Sequence, residues 1–266
     1  LCEDYGIGQG DYDDGKGGEK RVMISKELKA IYFISLKDIK SYYFKPPNIS
    51  WGIIFPMAMA LAFYLRNPTK MIDLIPGLLG MTILFGSTSM EAVVITFERR
   101  LGSFERLLLA PVSLAGVLMG KIIGGAFFGF IVACAVLIAS LFVFSFPNFD
   151  LIRLVPSLVL SSMAFSALGG FISVAVKEVF EAQTLANLFR FPMIFLSGVF
   201  IPIETLPLPV RVISYLLPLT YSAESLRNSL LIPRNIVPYW VSIFVLAAFS
   251  LALYWMSVKV LKKRLG

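Results

Sequence analysis

Residues 120–144 read GKIIGGAFFGFIVACAVLIASLFVF, and after Lys121 the run carries no charge. At ~1.5 Å per residue, a helix of this length crosses a ~30 Å hydrocarbon core. In lipid the backbone must satisfy its own polar groups, which a helix does within the segment. Comparable apolar runs lie at Ile49–Leu65, Leu74–Phe97, Leu154–Val176, Ala182–Ile201 and Val237–Val258. The expected fold is therefore all-α: a polytopic membrane protein with six transmembrane helices. Between the fifth and sixth runs stand Pro202, Pro207, Pro209 and Pro218. Prolines so placed interrupt a simple span. This stretch is expected to form a short external re-entrant helical hairpin, which needs protein cover or water at membrane depth.

Composition agrees with that reading. The 266 residues are 57% hydrophobic and only 15% charged, against about 25% charged in soluble domains. Mean hydropathy is +0.79. The net charge is +7, but the cations gather at the ends of apolar runs. They form no basic stripe with interleaved aromatics on a soluble segment, so no nucleic-acid partner is expected. Histidine is absent, which removes Ser-His-Asp and Cys-His catalysis and His-ligated metal sites from these residues. Cys2 lies in a polar tail and Cys134 in an apolar run, so neither a disulfide nor a structural zinc site is expected.

Three regions follow. Residues 1–22 are polar, acidic and Gly-rich, and are expected to be a disordered tail. Residues 23–47 form an amphipathic interfacial helix, ended by Pro46 and Pro47. Leu28, Ile31, Tyr32, Leu36, Ile39 and Tyr43 mark its apolar face, and Lys26, Lys29, Lys37 and Lys40 turn toward lipid phosphates. Residues 48–266 form the six-helix transmembrane domain. Lys and Arg favour one side of the membrane, which puts both termini and the loop carrying Arg99, Arg100 and Arg106 in the cytoplasm.

Gly10, Gly15 and Lys16 imitate a phosphate-binding loop. But Gly17 stands where Ser or Thr should hold magnesium, and no strand precedes the motif. No nucleotide site and no cofactor are expected in this chain, and any ATPase is a separate polypeptide. Gly116, Gly120 and Gly124, with Gly125 and Gly129, recur every four residues. That spacing lets helices approach closely, either within one subunit or between two. Glu91 and Arg190 fall inside the second and fifth runs, where charge is costly. Both lie roughly 10–13 Å from the cytoplasmic ends of their helices, so they either snorkel to that interface or form a Glu91–Arg190 ion pair.

The loop after the second run reads Glu98-Arg99-Arg100-Leu101-Gly102-Ser103-Phe104-Glu105-Arg106-Leu107-Leu108-Leu109-Ala110-Pro111. Gly102 and Pro111 bound one short amphipathic helix, with Ser103 available as its cap. Phe104, Leu107 and Leu108 form an apolar edge beside Glu105 and Arg106. Such an element can enter a partner's groove.

This loop, followed by Lys121, resembles the first cytoplasmic loop of ABC-2 type transport permeases. The stretch from Phe191 to Pro202, continuing to Leu217-Pro218-Leu219-Thr220-Tyr221, is similar to that family's fifth span and external hairpin. The resemblance covers residues 24–264. It implies a permease subunit of an ATP-driven exporter for an amphipathic or lipid-linked substrate, in the cell membrane. It also implies a second permease subunit, identical or not, and a separate ABC ATPase that binds ATP and Mg. Glu98, Gly102, Ser103, Phe104, Glu105, Leu107, Leu108 and Pro111 would then form the ATPase-coupling element. Two rivals stay open at this stage. A secondary transporter or channel would place ionisable groups on its pathway. A membrane enzyme with a Ser–Lys pair would need a mid-membrane lysine, and no such lysine stands out.

Overall fold

The computed structural model describes residues 27–43, 46–66, 71–108, 112–143, 149–232 and 236–265, and among these the regular structure is entirely helical. Helix α1 covers 27–38 and ends in a π turn, Ile39–Tyr43. There follow α2 (Pro46–Arg66), α3 (Met71–Arg100), α4 (Ser103–Leu108), α5 (Leu114–Val143), α6 (Leu151–Ala175) and α7 (Val179–Leu196). A 3-10 turn at Ile203–Thr205, then α8 (Leu208–Ser214) and α9 (Pro218–Ser229), lead into α10 (Tyr239–Leu265). The proposed tail, 1–22, lies outside the described residues.

Among the described residues, four helices are long and apolar enough to cross a membrane: Ile72–Arg100, Leu114–Phe142, Leu151–Ala175 and Tyr239–Arg264. Helices α2 and α7 occupy the places of the first and fifth expected spans. Helix α3 is the axis of the bundle. Its apolar window is 89% buried, against 22% for α10, so α10 turns most of its surface outward. Ile75, Leu79, Met81, Ile83 and Leu84 of α3 join Leu158, Phe165 and Ile172 of α6 and Leu219 and Leu226 of α9 in the main core.

Small residues decide how closely these helices pack. At Gly129 of α5 an added Cβ would meet the Ser87 side chain of α3, and at Gly120 it would lie 3.1 Å from the Ile31 carbonyl and 3.2 Å from Ile34 of α1. The glycine repeat therefore serves packing within the chain. Gly169 of α6 is the tightest against backbone: its Cβ would lie 2.7 Å from the Thr88 carbonyl oxygen and 3.1 Å from Thr88 Cα. Gly169→Ala must push α3 and α6 apart, which should destabilise by about 1–3 kcal/mol. Thermal unfolding of the purified protein in detergent tests this, and an unchanged midpoint would refute the close approach.

The Pro-rich stretch forms short helices rather than a span. Pro218 sits at the start of α9, where a missing N–H costs nothing. Helix α9 is held by serines: Ser222 Oγ donates to Ser161 Oγ at 2.8 Å, and Ser229 Oγ lies 3.2 Å from Ser157 Oγ. Buried Glu224 is paired with Arg227 and accepts the Ile236 N–H at 2.9 Å. The broken backbone thus has the protein cover that its sequence requires.

Candidate functional site: the elbow after the second span

Helix α3 runs three residues beyond its expected end at Phe97 and stops at Arg100. Gly102 then takes φ +67°, a left-handed conformation that glycine adopts without a Cβ clash. The chain turns there into the six residues of α4. Ser103 Oγ donates to the Glu98 carbonyl at 3.1 Å. It therefore closes the end of α3, whereas the sequence had suggested a cap for α4.

The extra turn of α3 places Glu98 in the interior. Glu98 is fully buried, and its carboxylate receives Lys121 Nζ of α5 at 2.5 Å and Lys37 Nζ of α1 at 2.5 Å. Lys121 also donates to Asp38 Oδ2 of α1 at 2.9 Å, and Lys37 stands 3.6 Å from Asp38 Oδ1. Lys121, Asp38 and Glu98 have no exposed side-chain surface, and Lys37 caps the cluster from the half-exposed side. Burial pushes the Asp38 carboxyl above the usual carboxylate range, against the pull of Lys121. Two lysines face two carboxylates, so the formal charges cancel.

This corrects two expectations. Glu98 is an internal tie joining α1, α3 and α5, and it is not open to a partner. Lys121, taken for a loop-edge cation, is a fully buried lysine. Two carboxylates hold it as an ammonium, which leaves it no free lone pair to act as a Ser–Lys base.

Phe104 is corrected as well. It is 1% exposed and packs with Ile34, Ile95, Val117, Leu118 and Leu261, while Leu107 lies half-buried against the same cluster. The described part of the α4 edge, Phe104 and Leu107, therefore faces this chain, with α4 packed against α3 and α5. The side chains of Glu105 and Leu108, and Pro111 as a whole, lie outside the described residues. Among the described elbow side chains, Leu101 is exposed, at 58%.

Helix α1 is correspondingly more than an interfacial float. Ile34, Ser35 and Asp38 are buried, and Ser35 Oγ donates to the Gly120 carbonyl at 2.5 Å. Leu28, Tyr32 and Phe33 remain exposed, so the apolar face read from the sequence is divided between the bundle and the outside. Arg99 reaches across to the end of α6 and donates to the Ser173 and Val176 carbonyls at 3.1 and 3.2 Å. Arg264 at the end of α10 donates to the same Val176 carbonyl at 3.0 Å. Cations at a helix C-terminus satisfy its last carbonyls and oppose its dipole.

The second candidate feature, the Glu91–Arg190 pair, is not formed. Arg190 Nη1 donates to Asn187 Oδ1 at 3.1 Å, and its guanidinium carbon lies 5.2 Å from the Phe85 ring centre. Glu91 instead lies against Gly125 and Gly169, where α5 and α6 close in. At 3.6 residues per turn, Glu91 stands about 120° around α3 from Phe85, so the two charges leave on different sides.

The bundle of long apolar helices, with a short helix on a glycine elbow, is the architecture of a polytopic membrane protein. The ABC-2 type transporter family matches residues 29–231, and the chain belongs to that family. It is 25% identical over 235 residues to the "Probable multidrug ABC transporter permease YbhS" of Escherichia coli K12, covering 85% of this chain and 56% of that protein. It is 26% identical over 193 residues to the "Inner membrane transport permease YadH" of the same strain, covering 73% of this chain and 75% of that one. A further relative is "Nodulation protein J" of Sinorhizobium fredii, 27% identical over 184 residues, with 67% of this chain and 69% of that protein covered. The chain thus spans little more than half the length of the YbhS protein it matches. It is a multi-pass membrane protein of the ABC transporter class.

Proposed function

We propose that this chain is the membrane-spanning subunit of an ATP-driven exporter for an amphipathic or lipid-linked substrate. A separate ATPase supplies the ATP and Mg sites, and a second permease subunit completes the pathway. Helices α2, α3, α5, α6, α7 and α10 are the six spans, with both termini and the α3–α4 elbow in the cytoplasm. The observation that carries this reading is the mounting of the elbow. Gly102 frees it from α3, while Phe104 and the Glu98 cluster tie it to α1, α3 and α5. A push on the elbow then reaches three helices at once. Nucleotide shifts such an equilibrium only through a difference in its affinity for the two states.

One preparation tests the reading. Tagged protein drawn from native membranes should bring down an ATPase. Leu101→Asp should abolish that association without unfolding the permease, since a buried leucine is worth about 1.5–3 kcal/mol. In a variant lacking Cys2 and Cys134, Leu208→Cys should react with an impermeant thiol reagent on intact cells and Leu101→Cys should not. Both positions are exposed. The reverse labelling pattern, or no ATPase at all, would refute the reading.

A further inference from the structure

Arg190 is the largest fully buried side chain among the described residues, and it sits within α7. Its Nη1 is bonded to Asn187, but among the described residues Nε and Nη2 have no hydrogen-bond partner. Neither a neutral amide nor the face of Phe85 cancels a full charge. A desolvated guanidinium with two free donors on a planar fork matches a two-oxygen anion. In the membrane interior a charge without a counter-charge marks a functional contact. This differs from Lys121, whose two carboxylates are already in place.

The described exposed carboxylates do not reach Arg190. Glu178 and Glu181 lie at the start of α7, Asp73 in the first turn of α3, and Glu204 in the 3-10 turn. Glu181 is nine residues away, about 13 Å along the helix. Among the described residues, a second copy of this chain thus offers no exposed acid on α7 near Arg190, which favours a small-molecule counter-ion. Asn187 is only half-buried and lies one turn before Arg190 on the same face. Its amide occupies Nη1 and leaves the Nε–Nη2 edge of the guanidinium open. Phe189, Phe191 and Phe195 beside it are exposed, so the approach is apolar.

We propose that Arg190 anchors the phosphate or carboxylate of an anionic amphiphile on its free Nε and Nη2, with Asn187 holding Nη1 in place. This rests on the exporter reading and names its substrate class as anionic.

The test is titration calorimetry of the full chain in neutral-lipid nanodiscs, with no ATPase present. Dodecyl phosphate and dodecanoate should each bind at one site, at least about tenfold more tightly than n-dodecanol. Arg190→Gln should lose at least about tenfold of that affinity, Arg190→Lys should keep part of it, and Lys177→Gln should match the natural chain. Asn187→Ala, which leaves the Nε–Nη2 edge in place, should keep most of the affinity. Unchanged affinity in Arg190→Gln, or equal binding of n-dodecanol, would overturn the site. Inorganic phosphate binding as tightly as dodecyl phosphate would overturn the assignment to an amphiphile. Anion binding without any co-purifying ATPase would sink the exporter reading alone. An ATPase without Arg190-dependent binding would sink this site alone.

Discussion

Lys121→Met should lower the stability of the protein by about 3–5 kcal/mol, the usual effect of removing one partner from a buried ion pair. The loss is large because Lys121 is the shared cation of two carboxylates. Without it Glu98 keeps Lys37 at 2.5 Å, but Asp38 keeps only a looser contact at 3.6 Å. One negative charge is then left in a site with no exposed surface. Adding Asp38→Asn to Lys121→Met should recover much of the loss, since the remaining Glu98–Lys37 pair is again neutral. Replacing a whole buried cluster by neutral groups is often tolerated. Thermal unfolding and monodispersity in detergent measure both variants. Natural stability in Lys121→Met, or a double variant as poor as the sum of the singles, would disprove the shared-cation arrangement.

The same cluster shows what hydropathy reads and what it misses. Apolar windows located α3, α5, α6 and α10, because crossing a membrane demands length and low charge. They misplaced the helix ends. Helix α5 begins at Leu114, six residues before the expected start, and α3 runs on to Arg100. The α3 extension, Glu98–Arg100, is charged, so a hydropathy window stops short of it; the α5 extension, Leu114–Met119, is apolar, and only Lys121 separates it from the run that hydropathy marked. Glu98 and Lys121 consequently read as loop charges. The available signal was Asp38, an acid among the lysines of α1. Its burial requires a cation from another helix, but spacing along one helix does not say which. Arg190 reads as a charge inside a span, to be relieved by snorkelling or by Glu91, whereas it is fully buried and bonded to Asn187. Periodicity also gave α4 an apolar edge without giving its direction, since an edge packs equally well on the chain's own helices or on a partner.

That direction can be settled at Phe104. Phe104→Ala should destabilise the protein by about 3–5 kcal/mol, the range for emptying a phenyl-sized site in a packed core. The ring is 1% exposed and belongs to a core cluster drawn from α1, α3, α5, α6 and α10, so little nearby can collapse into the space. Phe104→Met, which nearly conserves volume, should cost less than about 1.5 kcal/mol. An outward-facing ring would give the opposite pattern: Phe104→Ala would leave thermal unfolding unchanged and weaken only the association with an ATPase. The inward ring also predicts an order of loss. Phe104→Ala should free α4 first, so protease should cut at Arg106 in the folded permease at temperatures well below global unfolding. Leu101→Asp, on the exposed side of the elbow, should show no such early cleavage. If Phe104→Ala resists protease as the natural chain does while losing its ATPase, then α4 presents its apolar edge to the partner and the mounting described for the elbow is wrong.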